Sequence, residues 1–308
     1  MTDLQIRKIN FGFDETIPFQ WLPERPKFGM MANAISFIAV AFEKFIVATT
    51  REAMPLITDP AAAAEAEAFL RQEAQHANNH RKHVACLIRR HPGLQETLDE
   101  AVASYDHLVA TKPLKWCLAY TADLEATFTP IFKVMLDHED QLFRPGDERV
   151  ASLFLWHFVE EVEHRSSALI VCDAVVPNPY YRTTIVRQVF RHVMGVYRDI
   201  LRGFVKHVPR EDRWAEYAEV SPDGVRREEV VNRLPLPASW RDRVGIHPPS
   251  PFAPASNAEM LVMAYRLLRS QVPHHKPARE ATPRFADEWL RRYDEGWEVH
   301  RYYTGTRA

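Results

Sequence analysis

Two glutamate–histidine pairs, Glu73-Ala-Gln-His76 and Glu161-Val-Glu-His164, each follow a lone glutamate, Glu43 by 30 residues and Glu125 by 36. A Glu and a His three apart share one helix face, so a single helix can offer a carboxylate and an imidazole to the same metal ion. Two such helices, joined by two more that carry one glutamate each, bring four carboxylates and two histidines to a bundle axis. Four carboxylates and two neutral imidazoles sum to −4, which offsets two divalent cations and leaves coordination positions open. Hard oxygen donors with one nitrogen per ion suit two Fe ions, with Mn as a substitute, better than structural Zn.

The elements that must carry these residues are legible from ordinary signals. Pro26 and Gly29 precede a first helix over about 30–54 and Pro55 follows it. Asp59-Pro60 opens a second at 60–90 and His91-Pro92-Gly93 stops it. Pro113 precedes a third at 114–143, and Arg144-Pro145-Gly146-Asp147 is a turn with a cap before the fourth at 147–174. All four glutamates then lie about twelve to fifteen residues from their helix starts, in one layer. Residues 94–111 read as a crossover helix, and 180–206 as a fifth long helix with Ile185, Val189, Val193, Val196, Ile200 and Phe204 on one face. The expected fold class is all-α.

The pattern Glu…Glu-x-x-His…Glu…Glu-x-x-His resembles that of the ferritin-like di-iron carboxylate superfamily over about 30–206, and is also similar to a bacterial family labelled predicted metal-dependent hydrolases. The resemblance implies a ferritin-like four-helix bundle in which Glu43, Glu73 and His76 hold one metal, Glu125, Glu161 and His164 the other, and two glutamates bridge. Glu160 and Gln72 stand where related sites accept a hydrogen bond from the ligand histidine of the facing pair. Thr129 matches the active-site threonine of di-iron hydroxylases, although a helical Thr commonly bonds its own backbone. His80 stands where a radical-forming relative carries tyrosine, which argues against a ribonucleotide reductase small subunit. It could be an extra ligand, a proton donor or a buried hydrogen-bonded histidine. His157 and His192 are weaker candidates. Pro130 removes a backbone donor within its helix and predicts a kink beside Glu125.

Composition sets limits. With 46% hydrophobic residues, 10 Gly and net charge −2, the chain has the material for a large helical core and no basic excess that would ask for nucleic acid. Cys86, Cys117 and Cys172 lie in apolar helical stretches without a CxxC and read as buried free thiols. The first residues lack an apolar signal core and no stretch looks apolar enough to span a bilayer, so a cytoplasmic protein is expected. No nucleotide-binding fingerprint occurs. Eleven of 22 prolines fall in 207–308, in runs such as Leu234-Pro235-Leu236-Pro237 and His247-Pro248-Pro249-Ser250-Pro251, which exclude long helices there. The expected organisation is a lead-in at 1–29, the di-metal bundle at 30–206 and a Pro-rich arm at 207–308. Short helices at 256–271 and 284–298 would pack the arm on the bundle or on a second subunit, or form a lid. Arg187, Arg191, Arg198 and Arg202 form a basic stripe, solvated or facing an acidic partner.

The first functional expectation is a di-iron oxidase or oxygenase that activates O2 and acts on a small, partly apolar molecule, fed by an electron-donor protein because the chain has no flavin or iron–sulfur motif. The alternative is a di-metal hydrolase using a bridging hydroxide. An iron-handling protein of ferritin type fits the long arm poorly.

Overall fold

The computed structural model describes residues 4–235, 237–243 and 250–307. Among them there is no strand; the fold is all-α. Its helices are α1 (Pro26–Ala53), α2 (Pro60–Arg90), α3 (Leu94–Thr111), α4 (Leu114–Glu125), α5 (Phe128–Asp137), α6 (Glu139–Leu142), α7 (Glu148–Glu163), α8 (Ser167–Val175) and α9 (Tyr181–His207). The arm adds α10 (Arg210–Arg213), α11 (Tyr217–Val220), α12 (Pro222–Arg233), α13 (Ala238–Arg243), α14 (Asn257–Ser270) and α15 (Arg284–Asp294). Leu236 and the run His247-Pro248-Pro249 lie outside the described residues.

Local chemistry sets the boundaries. Pro26, Pro60 and Pro222 occupy first helical turns, where a missing N–H costs nothing. The Asp59 carboxylate accepts from the Ala61 N–H, and Asp147 from those of Arg149 and Val150. Ser256 and Glu259 form a reciprocal capping box at the start of α14.

Each of the two helices expected over 114–143 and 147–174 is interrupted; besides a break at His138 between α5 and α6, each has one break at the ligand layer. The first separates α4 from α5 directly after Glu125, close to the kink that Pro130 predicts. The Thr127 hydroxyl donates to the Leu124 carbonyl at 2.6 Å and Arg182 donates to that of Ala122 at 3.2 Å, so side chains add to the backbone bonds that these carbonyls keep at the break. The second break, between α7 and α8, follows His164 immediately, at Arg165-Ser166, and is not signalled by Pro or Gly.

The packing brings α1 against α2 and α3, α4 against α8 and α9, and α2 against α7 and α8. Gly203 lets α9 cross α3 closely: a Cβ there would stand 2.1 Å from the Thr97 hydroxyl. One contiguous hydrophobic core runs from Phe11 and Trp21 of the lead-in, through Phe42, Tyr105, Phe154 and Phe158, to Phe285, Trp289 and Tyr302 of the arm. The lead-in and arm therefore bury residues in the same core as the bundle. All three cysteines are buried and free.

The expectation that no stretch is apolar enough to span a bilayer needs correction. Residues Pro26–Leu56, α1 with the turn after it, reach a mean hydropathy of 1.6, enough for a span by length and composition. The reason is that α1 is a central core helix, with 72% of its apolar window buried and Glu43 inside it.

Candidate metal centre

Glu43 on α1, Glu73 and His76 on α2, Glu125 at the end of α4, Glu161 on α7 and His164 just beyond it converge, each no more than 4% exposed. His157, one turn before Glu161, joins them. Ligand-type atoms fall into two tight groups, Glu43–His76–His157–Glu161 and Glu73–Glu125–Glu161–His164, each with its atoms within 4.8 Å of one another. Glu161 belongs to both.

This grouping differs from the one the motif implies. Glu73 sits with the second set, its Oε1 3.2 Å from His164 Nε2, while His76 Nδ1 stands 3.4 Å from Glu161 Oε1. The Glu-x-x-His helices face each other, so each pair reaches across the axis. His157 Nε2 lies 2.9 Å from Glu161 Oε1 and 3.2 Å from Glu43 Oε1. His157, Glu161 and His164 are four and three residues apart on one face, the signal by which sequence can find the third histidine.

The outer ring is built symmetrically. His76 Nε2 meets Glu160 Oε2 at 2.9 Å, and His164 Nδ1 meets Gln72 Oε1 at 3.1 Å. Gln72 donates through its amide to the Gln5 carbonyl and to Glu163, which leaves its oxygen to accept from His164. These partners orient both rings, and with one proton held on each outward nitrogen the inward ones, His76 Nδ1 and His164 Nε2, would be free for a metal ion once the rings are neutral. Arg7, from the lead-in, donates to Glu160 and, in bidentate fashion, to Glu163 at 2.8–2.9 Å. Its guanidinium lies 5.8 Å from the Trp289 ring and 5.2 Å from the Tyr293 ring of α15. No sequence signal pointed to Arg7, which is 153 residues from Glu160.

The donor set fits divalent ions on the evidence of its unpaired atoms. Glu43 Oε2, both carboxylate oxygens of Glu73, Glu125 Oε1 and His76 Nδ1 are buried and make no hydrogen bond. Orphaned buried acceptors carry a cost that a cation removes. Burial, then repulsion by the other glutamates, pushes Glu43 and Glu125 well above the ordinary carboxylate range, and burial with the Glu161 charge moves Glu73 up to about 7. Glu161 is held low: burial opposes its charge, but His164, His157 and His76 outweigh it. Four buried carboxylates this close cannot all ionise without added positive charge.

The remaining candidates fall at different distances from the centre. His80 is one step behind it: Nε2 meets His157 Nδ1 at 2.7 Å and Nδ1 meets the Ser36 hydroxyl at 2.9 Å, which in turn meets His83 Nδ1 at 2.9 Å. Thr129 is buried in α5, but the threonine on the wall of the cavity beside Glu125 is Thr127. His192 is held by Tyr120 and Ser104 and lies in neither ligand group. In the arginine stripe, Arg202 pairs with Asp199 and Arg198 with Asp223.

A cavity of about 680 Å³ ends on this centre, with Glu43, Glu125, His157 and Glu161 in its wall. The family described as predicted metal-dependent hydrolase matches residues 5–247, which include every residue of the centre. The chain belongs to that family. No protein of curated function and no solved structure matches it. Membership in the hydrolase family overturns the expectation of a di-iron oxidase or oxygenase and favours the hydrolytic alternative. The physical reason is that the six-residue motif fixes donor type, charge and spacing, and the same donors serve both chemistries. An electron donor has no part in hydrolysis.

Proposed function

We propose that the protein is a two-metal hydrolase whose ions share Glu161. The observation that carries this reading is the set of unpaired carboxylate oxygens and inward nitrogens, gathered in two groups at the end of a cavity in a member of a metal-dependent hydrolase family. In this reading Glu43, His76, His157 and Glu161 hold one ion, and Glu73, Glu125, Glu161 and His164 the other, on a ferritin-like helical layer. With four carboxylates and three imidazoles the set suits divalent Fe, Mn or Zn.

Bound there, two divalent ions supply Lewis acidity and a water acidified toward neutral pH. The chain does the rest. Apolar walls exclude bulk water from the end of the cavity and strengthen every electrostatic interaction within it. Glu160 and Gln72 fix the rings of His76 and His164. His157 is neutral, burial first and the His76 charge second holding its pKa down to about 4. With its Nε2 turned to the ion, its Nδ1–H donates to His80, which passes the same polarity through Ser36 to His83. This chain, closed within the core at His83, holds a ligand tautomer in place. The test is to load metal-free protein with Fe(II), Mn(II) or Zn(II) and assay chromogenic esters and phosphodiesters. Metal-dependent cleavage abolished in Glu161→Ala is expected, and cleavage that survives both metal removal and Glu161→Ala would overturn the reading.

A further inference from the structure

We propose that the substrate is an uncharged carboxylic ester with a long apolar chain, the chain lying in the cavity and the ester group at the carboxylate end. The bond broken rests on the hydrolase reading above; the chain rests on the cavity alone.

The cavity joins the ligand layer to the surface. At one end are Glu43, Glu125, His157 and Glu161; at the other are Arg226, whose side chain is 80% exposed, and Val230, 56% exposed. Between them the wall is supplied by α1, α5, α9, α12 and α14 and is almost wholly aliphatic and aromatic, with Ile35, Ile38, Phe128, Ile131 and Phe190 among its residues. Five of the chain's eight methionines, Met31, Met135, Met194, Met260 and Met263, line it. Unbranched thioether side chains adapt to a flexible chain without fixing its conformation. At about 680 Å³ the volume lies within the usual range for ligand sites, roughly 300–1,000 Å³. The mouth continues this character outward: α14, whose Met260 and Met263 face the cavity, exposes Leu261, Tyr265 and Leu268 on its other side. A polar or multiply charged substrate would find no partner along such a wall.

The head group follows from charge. Beside any metal ions, phosphoryl groups are commonly clamped by arginine or lysine, and among the described residues no cation lines the inner end. The arginines of the lining are at the far end, where Arg233 is already taken by Glu229 and by the Phe252 and Ala255 carbonyls. Four carboxylates are balanced by two divalent ions with no positive charge left over for a phosphate. A neutral acyl ester meets neither shortage. In its hydrolysis the water oxygen bonds to the carbonyl carbon, the bond from that carbon to the alcohol oxygen breaks, and the alcohol oxygen takes the proton. No oxidant or reductant enters.

Two measurements on the full chain test this. For metal-loaded protein and p-nitrophenyl esters from acetyl to dodecanoyl, kcat/KM should rise by about fourfold per methylene until the cavity is filled. For metal-free protein, 1-decanol, uncharged and not hydrolysable, should displace an environment-sensitive dye from the cavity. Met194→Trp, which fills the cavity, and Met263→Arg, which charges its wall, should each weaken decanol binding at least tenfold and flatten the chain-length series. Equal rates for acetyl and dodecanoyl esters, or no decanol binding in the metal-free protein, would overturn the chain assignment while leaving a hydrolase. Decanol binding that both variants weaken, without cleavage of any ester, would support the cavity and overturn the hydrolase reading beneath it.

Discussion

Glu161 is the residue on which the centre turns, because it belongs to both ligand groups and three histidines hold it ionised. Its pairing with His164, and that of Glu73 with His76, is legible from a three-residue spacing, since a helix places those side chains on one face whatever surrounds it. His157 is legible only as a weak candidate, because its spacing to Glu161 has many bland explanations until the fold brings Glu43 within 3.2 Å of it. Arg7 is not legible at all: its role comes from long-range packing that no local pattern encodes. Replacing Arg7 by Met should leave Glu160 buried without its cation and lower metal affinity or activity roughly ten- to a hundredfold, checked by metal titration. Thr129→Val, off the cavity wall, should leave metal binding unchanged in the same titration. The pH dependence has a definite sign. Burial opposes charge on His76, but hydrogen bonds to Glu160 and Glu161 outweigh it and push its pKa from 6.5 up to about 9 in the metal-free protein. A raised histidine stabilises the fold fully below pH 6.5 and loses that contribution as pH climbs through 9. Glu73, moved from 4.5 up to about 7, acts in the same direction at lower pH, its buried ionisation costing stability as pH rises. Metal needs these groups deprotonated, so loading strengthens over the same window. The melting-temperature gap between loaded and metal-free protein should therefore widen from pH 6.5 to pH 9. A gap that narrows would place other groups in the centre.

At the scale of elements, helix ends fixed by proline and aspartate were legible to within a few residues, because those residues act on their own backbone. The interruption beside Glu125 was legible from Pro130, while the one after His164 was not, since a Ser166-Ser167 pair is an ordinary helical sequence out of context. Both of these breaks lie at the ligand layer, and Thr127 and Arg182 add side-chain bonds to carbonyls beside the first. Helix α12 also lay beyond the sequence reading, hidden in a Pro-rich stretch that nonetheless leaves 222–233 clear after its first residue. Helix α15 carries the link between arm and centre. Trp289 is fully buried, stacks on Tyr293 with ring centroids 5.7 Å apart, and faces Arg7. Trp289→Ala should cost about 3–5 kcal/mol of stability, measured by denaturant titration, and should also weaken metal binding by loosening Arg7. If stability fell with metal affinity unchanged, the arm would support the core without supporting the centre.

Over the whole molecule, the hydrophobic core does not stop at the end of α9: α14 and α15 pack on α5, and α15 also packs on α7, the helix that carries Glu161. Proline content announces that the arm cannot be a long helix but says nothing of where it lies, and so its closeness to the centre is a property of tertiary packing. Ending the chain after 206 should expose the faces of α5 and α7 and produce aggregation or a changed oligomeric state, seen by size-exclusion chromatography with light scattering. The reaction class likewise was not legible, because a ligand set records which ions fit and not what they do; membership in a family described as predicted metal-dependent hydrolase favours hydrolysis over oxygen chemistry. Two ions sharing the Glu161 carboxylate are the central feature of the proposed site. Elemental analysis of the folded protein after loading and desalting tests that most directly. Two divalent ions per chain are expected in the natural protein, with loss of both in Glu161→Ala and two kept in Thr129→Val. A single ion in the natural protein, or two retained in a folded Glu161→Ala variant, would contradict it.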